Sequence, residues 1–312
     1  MSCGLIADCF LDVLALDYNH KMSLRRRPSF VGLCCTLLAA TPFFSFFAVF
    51  AQQKPPSKGR TLLLPHTIVS GERATLAVLD ANGRLTPGAN VIFSNGDRLT
   101  TDKTGRALFV APLDLGVIFA SLAGREARVA ASVLSRAENL KSAMDVTAIP
   151  RIASLSDRLE IEGHGFCGGA DGNEITIAGA PAFVLASSPT SLIVMPPADL
   201  VPGRASVDLS CAKHNGPPLE VVFVALDLEA DSSPLTPGVH RVLTVHVRGT
   251  REKVSLEAKN LAPDIAELVG GNPLRVSSSG GRDNLAHYEI IGRKRGSFLI
   301  SIRLLAPAAP SG

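Results

Sequence analysis

Two short patterns in this 312-residue chain carry residue types able to hold a metal, His164-x-x-Cys167 and Cys211-x-x-His214. Two thiolates and two imidazoles make a tetrahedral zinc set in type, although their spacing is unlike that of a zinc finger or ribbon. If the stretch before Gln52 is removed on export, Cys167 and Cys211 are the only cysteines left. In an exported protein such a pair reads first as a disulfide, with free thiols and a metal set as the alternatives. Closing a loop of roughly 45 residues contributes about 4 kcal/mol in the chain-entropy view. Four other groups have simpler readings. Asp171-Gly172-Asn173-Glu174 offers oxygen ligands but lacks calcium-loop spacing, and reads as a polar turn. His240 and His246 share a strand face but lie about 20 Å apart along it, too far for one metal. Ser277-Ser278-Ser279-Gly280-Gly281 with Asp283 and His287 has hydrolase residue types without a nucleophile elbow, and reads as a loop. Arg293-Lys294-Arg295 reads as a solvated hairpin tip. No catalytic, cofactor-binding or metal residue is assigned, and Cys167 with Cys211 is the disulfide candidate.

The elements that must position these residues are short strands. Between Ile149 and Ala225, apolar residues alternate in brief runs separated by Gly, Pro, Asn and Ser, the pattern of antiparallel strands with one buried face. Leu159 with Ile161 and Ile175 with Ile177 mark two such faces. Runs at Pro181 to Ser187, Ser191 to Met195, Arg204 to Ser210 and Leu219 to Leu226 continue the series. Strands at this spacing predict a small sandwich.

The opening Pro150 to Leu155, the turn Gly163-His164-Gly165-Phe166, Ile175 to Ala182, Ser187 to Pro196 and Pro202-Gly203 occur in that order. Together they resemble an IPT/TIG domain, an immunoglobulin-like module, over about 149–226. The glycines of the turn are expected to supply positive φ. The resemblance implies a fold and puts both halves of the His/Cys set on loops at one end of the sandwich. It implies little about activity, because the family's members bind DNA, receptors or sugars, or only space other domains.

Upstream, Arg25-Arg26-Arg27 precedes an apolar run from Phe30 to Phe50, and Val49-Phe50-Ala51 precedes Gln52. This is the layout of a secretory signal over 1–51, with 1–21 read as an upstream extension of the gene. Left uncut, the run is long enough to anchor the chain in a bilayer. Residues 52–59 read as a Pro-rich spacer. Over 60–134 the alternation resumes, with Asn95-Gly96 a strong hairpin signal. The runs Val78 to Gly83, Pro87 to Val91 and Thr101 to Ala107 resemble bacterial Ig-like repeats of the intimin and invasin type. Residues 135–148 read as a linker with one helical turn, Ser135 and Glu138 standing at capping-box spacing. A third Ig-like sandwich is expected over 227–306 and a disordered tail over 307–312.

The formal charge is +3, and removing 1–51 leaves +2, so nucleic acid is not an expected partner. Trp is absent and Tyr288 is the only tyrosine after the signal, which leaves little aromatic surface for stacking sugars or bases. The sequence therefore predicts an all-β chain of serial Ig-like sandwiches, secreted or at the periplasmic or cell surface. Its expected role is non-enzymatic binding, adhesion or spacing, with an unknown protein or cell-envelope partner, no cofactor, and membrane contact only if Phe30 to Phe50 stays uncut. The alternative is a secreted hydrolytic or metal-dependent enzyme built on His164, Cys167, Cys211 and His214.

Overall fold

A computed structural model describes residues 14–16, 59–141, 143–212, 214–229, 235–296 and 298–305. The signal reading at 1–51, apart from the strand Leu14–Leu16, lies outside the described residues. So do the spacer up to Lys58 and the tail at 307–312. The described chain is all-β, built of mainly antiparallel sheets packed face to face.

Alternation sets the first pair of sheets. Thr61–Leu63, Arg73–Leu79 and Arg106–Val110 lie in one, and Thr67–Val69, Arg128–Leu134, Gly116–Leu122, Asn90–Phe93 and Arg98–Thr100 in the other. Their inward residues meet as one core around Ile68, Leu76, Val78, Val91 and Ala120. Phe93 and Phe109 pack there with ring centroids 5.1 Å apart. The Asn95-Gly96 signal does form a hairpin, joining Asn90–Phe93 to Arg98–Thr100.

The second core gathers Leu159, Ile161, Ile175, Ile177, Val194, Val207 and Phe223. The segment read as a linker contributes to it. After a single turn at Arg136–Asn139, Asp145–Ala148 forms a strand paired with Leu159–His164, and Val146 packs on the core. No side-chain cap is made by Ser135; instead the Asn139 side chain donates to the Ser135 carbonyl at 3.0 Å. The Gly163-x-Gly165 turn uses its glycines for two different reasons. Gly165 has φ +76°, the left-handed region. Gly163 is needed for close approach, because a Cβ there would stand 2.1 Å from the Asp145 carbonyl oxygen.

The third core, around Leu243, Val245, Leu256, Tyr288 and Ile290, begins earlier than the sequence indicated. Leu219–Glu229 is one continuous strand. Its first half pairs with Gly203–Cys211 and its second half with His240–Arg248. The expected boundary at 226/227 therefore falls inside a strand. On the opposing sheet, Ser255–Asn260 lies between Leu274–Ser277 and Phe298–Leu304, whose outer edge pairs with Leu14–Leu16.

Two polar features mark this third core. Glu257 is 3% exposed and accepts hydrogen bonds at 2.9 Å from Arg275 Nε and from Arg303 Nε, one on each neighbouring strand. Those two guanidinium groups hold its carboxyl below the ordinary carboxylate range. Tyr288 is fully buried, its hydroxyl has no hydrogen-bond partner among the described residues, and burial pushes its phenol pKa up.

Two substitutions test these assignments. Gly163→Ala should cost about 1–3 kcal/mol in denaturant unfolding, the range for a forced overpacking, because the obstacle is backbone. Tyr288→Phe should be neutral or stabilising by up to about 1 kcal/mol, since it removes a buried donor that makes no bond. A large loss of stability in Tyr288→Phe would show that the hydroxyl has a partner.

Candidate functional site

Cys167 and Cys211 are joined by a disulfide, with Cα atoms 5.7 Å apart. Cys211 ends the strand Gly203–Cys211 and lies in register with Asn173 on the next strand. The Asn173 side chain completes the clamp: its Oδ1 accepts from the Cys167 amide and its Nδ2 donates to the Cys167 carbonyl, both at 2.8 Å. The remaining members of the His/Cys set are engaged apart from the sulfurs. His164 Nδ1 donates to the Asn139 carbonyl at 3.3 Å, and His214 is exposed on the short return strand after Cys211. Among the described residues, no group of three or more His, Cys, Asp or Glu side chains is arranged to hold a metal ion.

The other sequence candidates are dispersed too. Asp171 accepts from Arg106 Nη2 at 2.6 Å, while Asn173 serves the clamp. His240 meets Glu289 at 2.5 Å and His246 meets Glu229 at 2.9 Å, so each pairs with its own carboxylate. In the serine-rich loop, Ser278 Oγ accepts from the Val254 amide and Ser279 Oγ from the Leu285 amide, each at 2.9 Å. His287 faces Thr244 Oγ1 at 3.2 Å. Arg293 is paired with Glu267.

The disulfide-tied loop meets the first sandwich, and this contact is where unforeseen residues gather. Thr75 Oγ1 donates to the Gly168 carbonyl at 2.9 Å and accepts from the Ala170 amide at 3.1 Å. Ser187 Oγ donates to the same carbonyl at 2.9 Å. Gly168 sits so close that a Cβ on it would lie 1.9 Å from the Arg73 carbonyl oxygen. Arg106, whose side chain is 9% exposed, also donates to the Val184 carbonyl at 3.2 Å and lies over the Phe183 ring, 5.2 Å from its centroid. A buried guanidinium needs such partners, because desolvating an unpaired charge is costly. Sheet pairing runs through the same contact: Ser187 is bridged to Thr75, which links Phe183–Ser187 to Arg73–Leu79.

Apolar packing reinforces it. A register shift between Val184 and Ala186 inserts Leu185 as an extra residue. Leu185 and Ala186 then pack with Leu63, Ala77, Leu79 and Ile193 in a small separate cluster, while Val184 belongs to the second core. Nearby, His66 Nε2 and Glu160 Oε2 stand 2.9 Å apart, both side chains half-exposed. The hydrogen bond to Glu160 raises the His66 pKa above its ordinary 6.5, and reciprocally lowers Glu160 below 4.5. No local sequence pattern marks Arg106, Thr75 or His66, which appear as ordinary polar positions.

No family model matches the chain, and no curated protein matches it. Several solved structures are similar to it. The Bacteroides ovatus mixed-linkage glucan utilization locus protein SGBP-B, in complex with a mixed-linkage heptasaccharide, aligns at 13% identity over 77% of this chain and 74% of that one, with a TM-score of 0.27. The plexin A4 full extracellular region aligns at 10% identity over 81% and 33%, with a TM-score of 0.31. Domains 1–6 of the surface layer protein SbsC align at 13% over 81% and 39%, with a TM-score of 0.19. The chain thus spans about a third of the plexin structure and somewhat more of the S-layer one. At TM-scores this low the likenesses carry no argument about function.

The His66–Glu160 pair contributes a pH dependence whose sign is set by the two shifts. A raised histidine pKa means a contribution fully present below pH 6.5 and lost as pH rises through the folded-state value; the depressed Glu160 contributes above pH 4.5 and loses its part as pH falls. Raising the pH from 6 to 8 should lower the wild-type stability relative to His66→Gln by less than about 1 kcal/mol, because the pair is half-exposed. Parallel urea unfolding of the two proteins at both pH values measures it, and identical pH profiles would remove the pair from the interface's energetics.

Proposed function

We propose that this chain is an exported, non-enzymatic interaction or spacer protein of the cell envelope, made of three Ig-like domains at 60–134, 149–226 and 227–306, the middle one IPT/TIG-like. The observation that carries this reading is the way the units are joined. The first and second share sheet pairing at Thr75 and Ser187, and the second and third share the strand Leu219–Glu229. Joints made of backbone hydrogen bonds and buried side chains hold neighbours at fixed separation, which suits a spacer better than a catalyst that must open and close. The oxidised Cys167–Cys211 pair supports an oxidising compartment. It also removes both thiolates from the set on which a metal enzyme would be built.

Intact mass and cell fractionation test this reading together. The chain recovered from the envelope or medium should begin at Gln52, which frees the Phe298–Leu304 edge from Leu14–Leu16, and weigh two hydrogens less before reduction than after it. A protein confined to the cell interior, with its N-terminal segment uncut and both thiols free to label, would overturn export. Stoichiometric zinc bound with those free thiols would favour the enzyme reading instead.

A further inference from the structure

We propose that the Cys167–Cys211 disulfide is a redox-sensitive clasp whose reduction loosens the first sandwich from the second without unfolding either. The geometry places the covalent tether beside the docking contacts. Cys167 immediately precedes Gly168, whose carbonyl receives the Thr75 hydroxyl from the first sandwich and the Ser187 hydroxyl from within the second. Two residues further on, the Ala170 amide donates back to Thr75 Oγ1, and Asp171 accepts from Arg106. All these docking groups lie on one short segment whose only regular structure is the single 3-10 turn Ala170–Gly172.

Within the second sandwich that segment is anchored by the disulfide to Gly203–Cys211 and by the Asn173 amide clamp. The hydrogen bonds of the docking face are each of the same order as the conformational entropy of ordering the residues that make them. A tether that pre-orders the segment therefore decides whether those bonds form persistently. The cores depend on it unequally. The second takes Phe166 and Ala170 from this loop, but most of it comes from strands, among them Leu159, Ile161, Ile177, Val207 and Phe223, and the first contains no residue of this loop.

The chemistry is thiol–disulfide exchange with a small dithiol. One reductant thiolate attacks a sulfur of the pair and forms a mixed disulfide while the other cysteine leaves as a thiolate. The second reductant thiol then displaces the first. Two electrons and two protons pass to the protein, giving two cysteine thiols, and the dithiol becomes its own cyclic disulfide.

The test is hydrogen exchange by mass spectrometry on the whole purified chain, oxidised and then reduced with dithiothreitol, beside an oxidised Thr75→Val variant. Reduction should speed exchange roughly tenfold or more over 166–172 and at the junction residues 185–188, the signature of a local opening. Exchange in 205–209 and 219–223 should remain within about threefold of the oxidised protein, as for a core that stays closed. Thr75→Val should reproduce the junction change with the disulfide intact, and small-angle scattering should show the same broadening of overall dimensions in both. Unchanged exchange at the junction on reduction would overturn the proposal. So would a uniform rise through 159–223, which would make the disulfide a staple of the second core alone. Because wild-type protein is folded oxidised before reduction, both results can be read even if a cysteine-free variant fails to fold.

Discussion

A β-strand edge left bare exposes a row of amide and carbonyl groups that must find partners, and the architecture of this chain depends on how two such edges are closed. At the first junction the edge of Arg73–Leu79, occupied over Ala77 to Leu79 by Thr61–Leu63, is taken over at Thr75 by Ser187 of the next unit. At the second, a single strand is long enough to serve two sheets, pairing with Gly203–Cys211 over residues 219–223 and with His240–Arg248 over residues 225–229. Neither junction is a linker. Backbone pairing fixes spacing and rotation together, because a shift by one residue would turn every inward side chain outward.

Side chains at the first junction specify what the backbone permits. The bulge at Leu185 lets adjacent residues of one strand serve two cores, Val184 inward and Leu185 with Ala186 toward the neighbour. Arg106 is satisfied by Asp171, the Val184 carbonyl and Thr104. Its partners come from both units, so this set of bonds forms in one arrangement only. The disulfide is the covalent member of this set, since it orders the loop that presents Gly168 and Asp171. Stability within the second sandwich and orientation between sandwiches therefore converge on one short segment, Gly165 to Asn173.

Much of this was legible in the sequence. Alternation in Leu159 to Ile161, Ile175 to Ile177 and Leu243 to Val247 marks buried faces that the structure does bury, because a strand's side chains alternate regardless of what lies opposite. The turn at Asn95-Gly96 is equally local. With the segment before Gln52 read as a signal, the two cysteines could be picked out by subtraction, without knowing their surroundings. Less was legible at the edges of units. Asp145–Ala148 has a single apolar residue, Val146, packed on a core, so its strand character comes from pairing with Leu159–His164 and not from its own composition.

The chain's local patterns determined the all-β class and most strand positions, because periodicity and turn chemistry act over a few residues. Only the tertiary structure decided that Gly163 clears the Asp145 carbonyl, that Thr75 and Arg106 face a loop some 65 to 95 positions away, and that residues 226 and 227 lie within one strand. Those outcomes depend on which edges meet and at what register. That is a property of two distant segments together, and neither carries it alone.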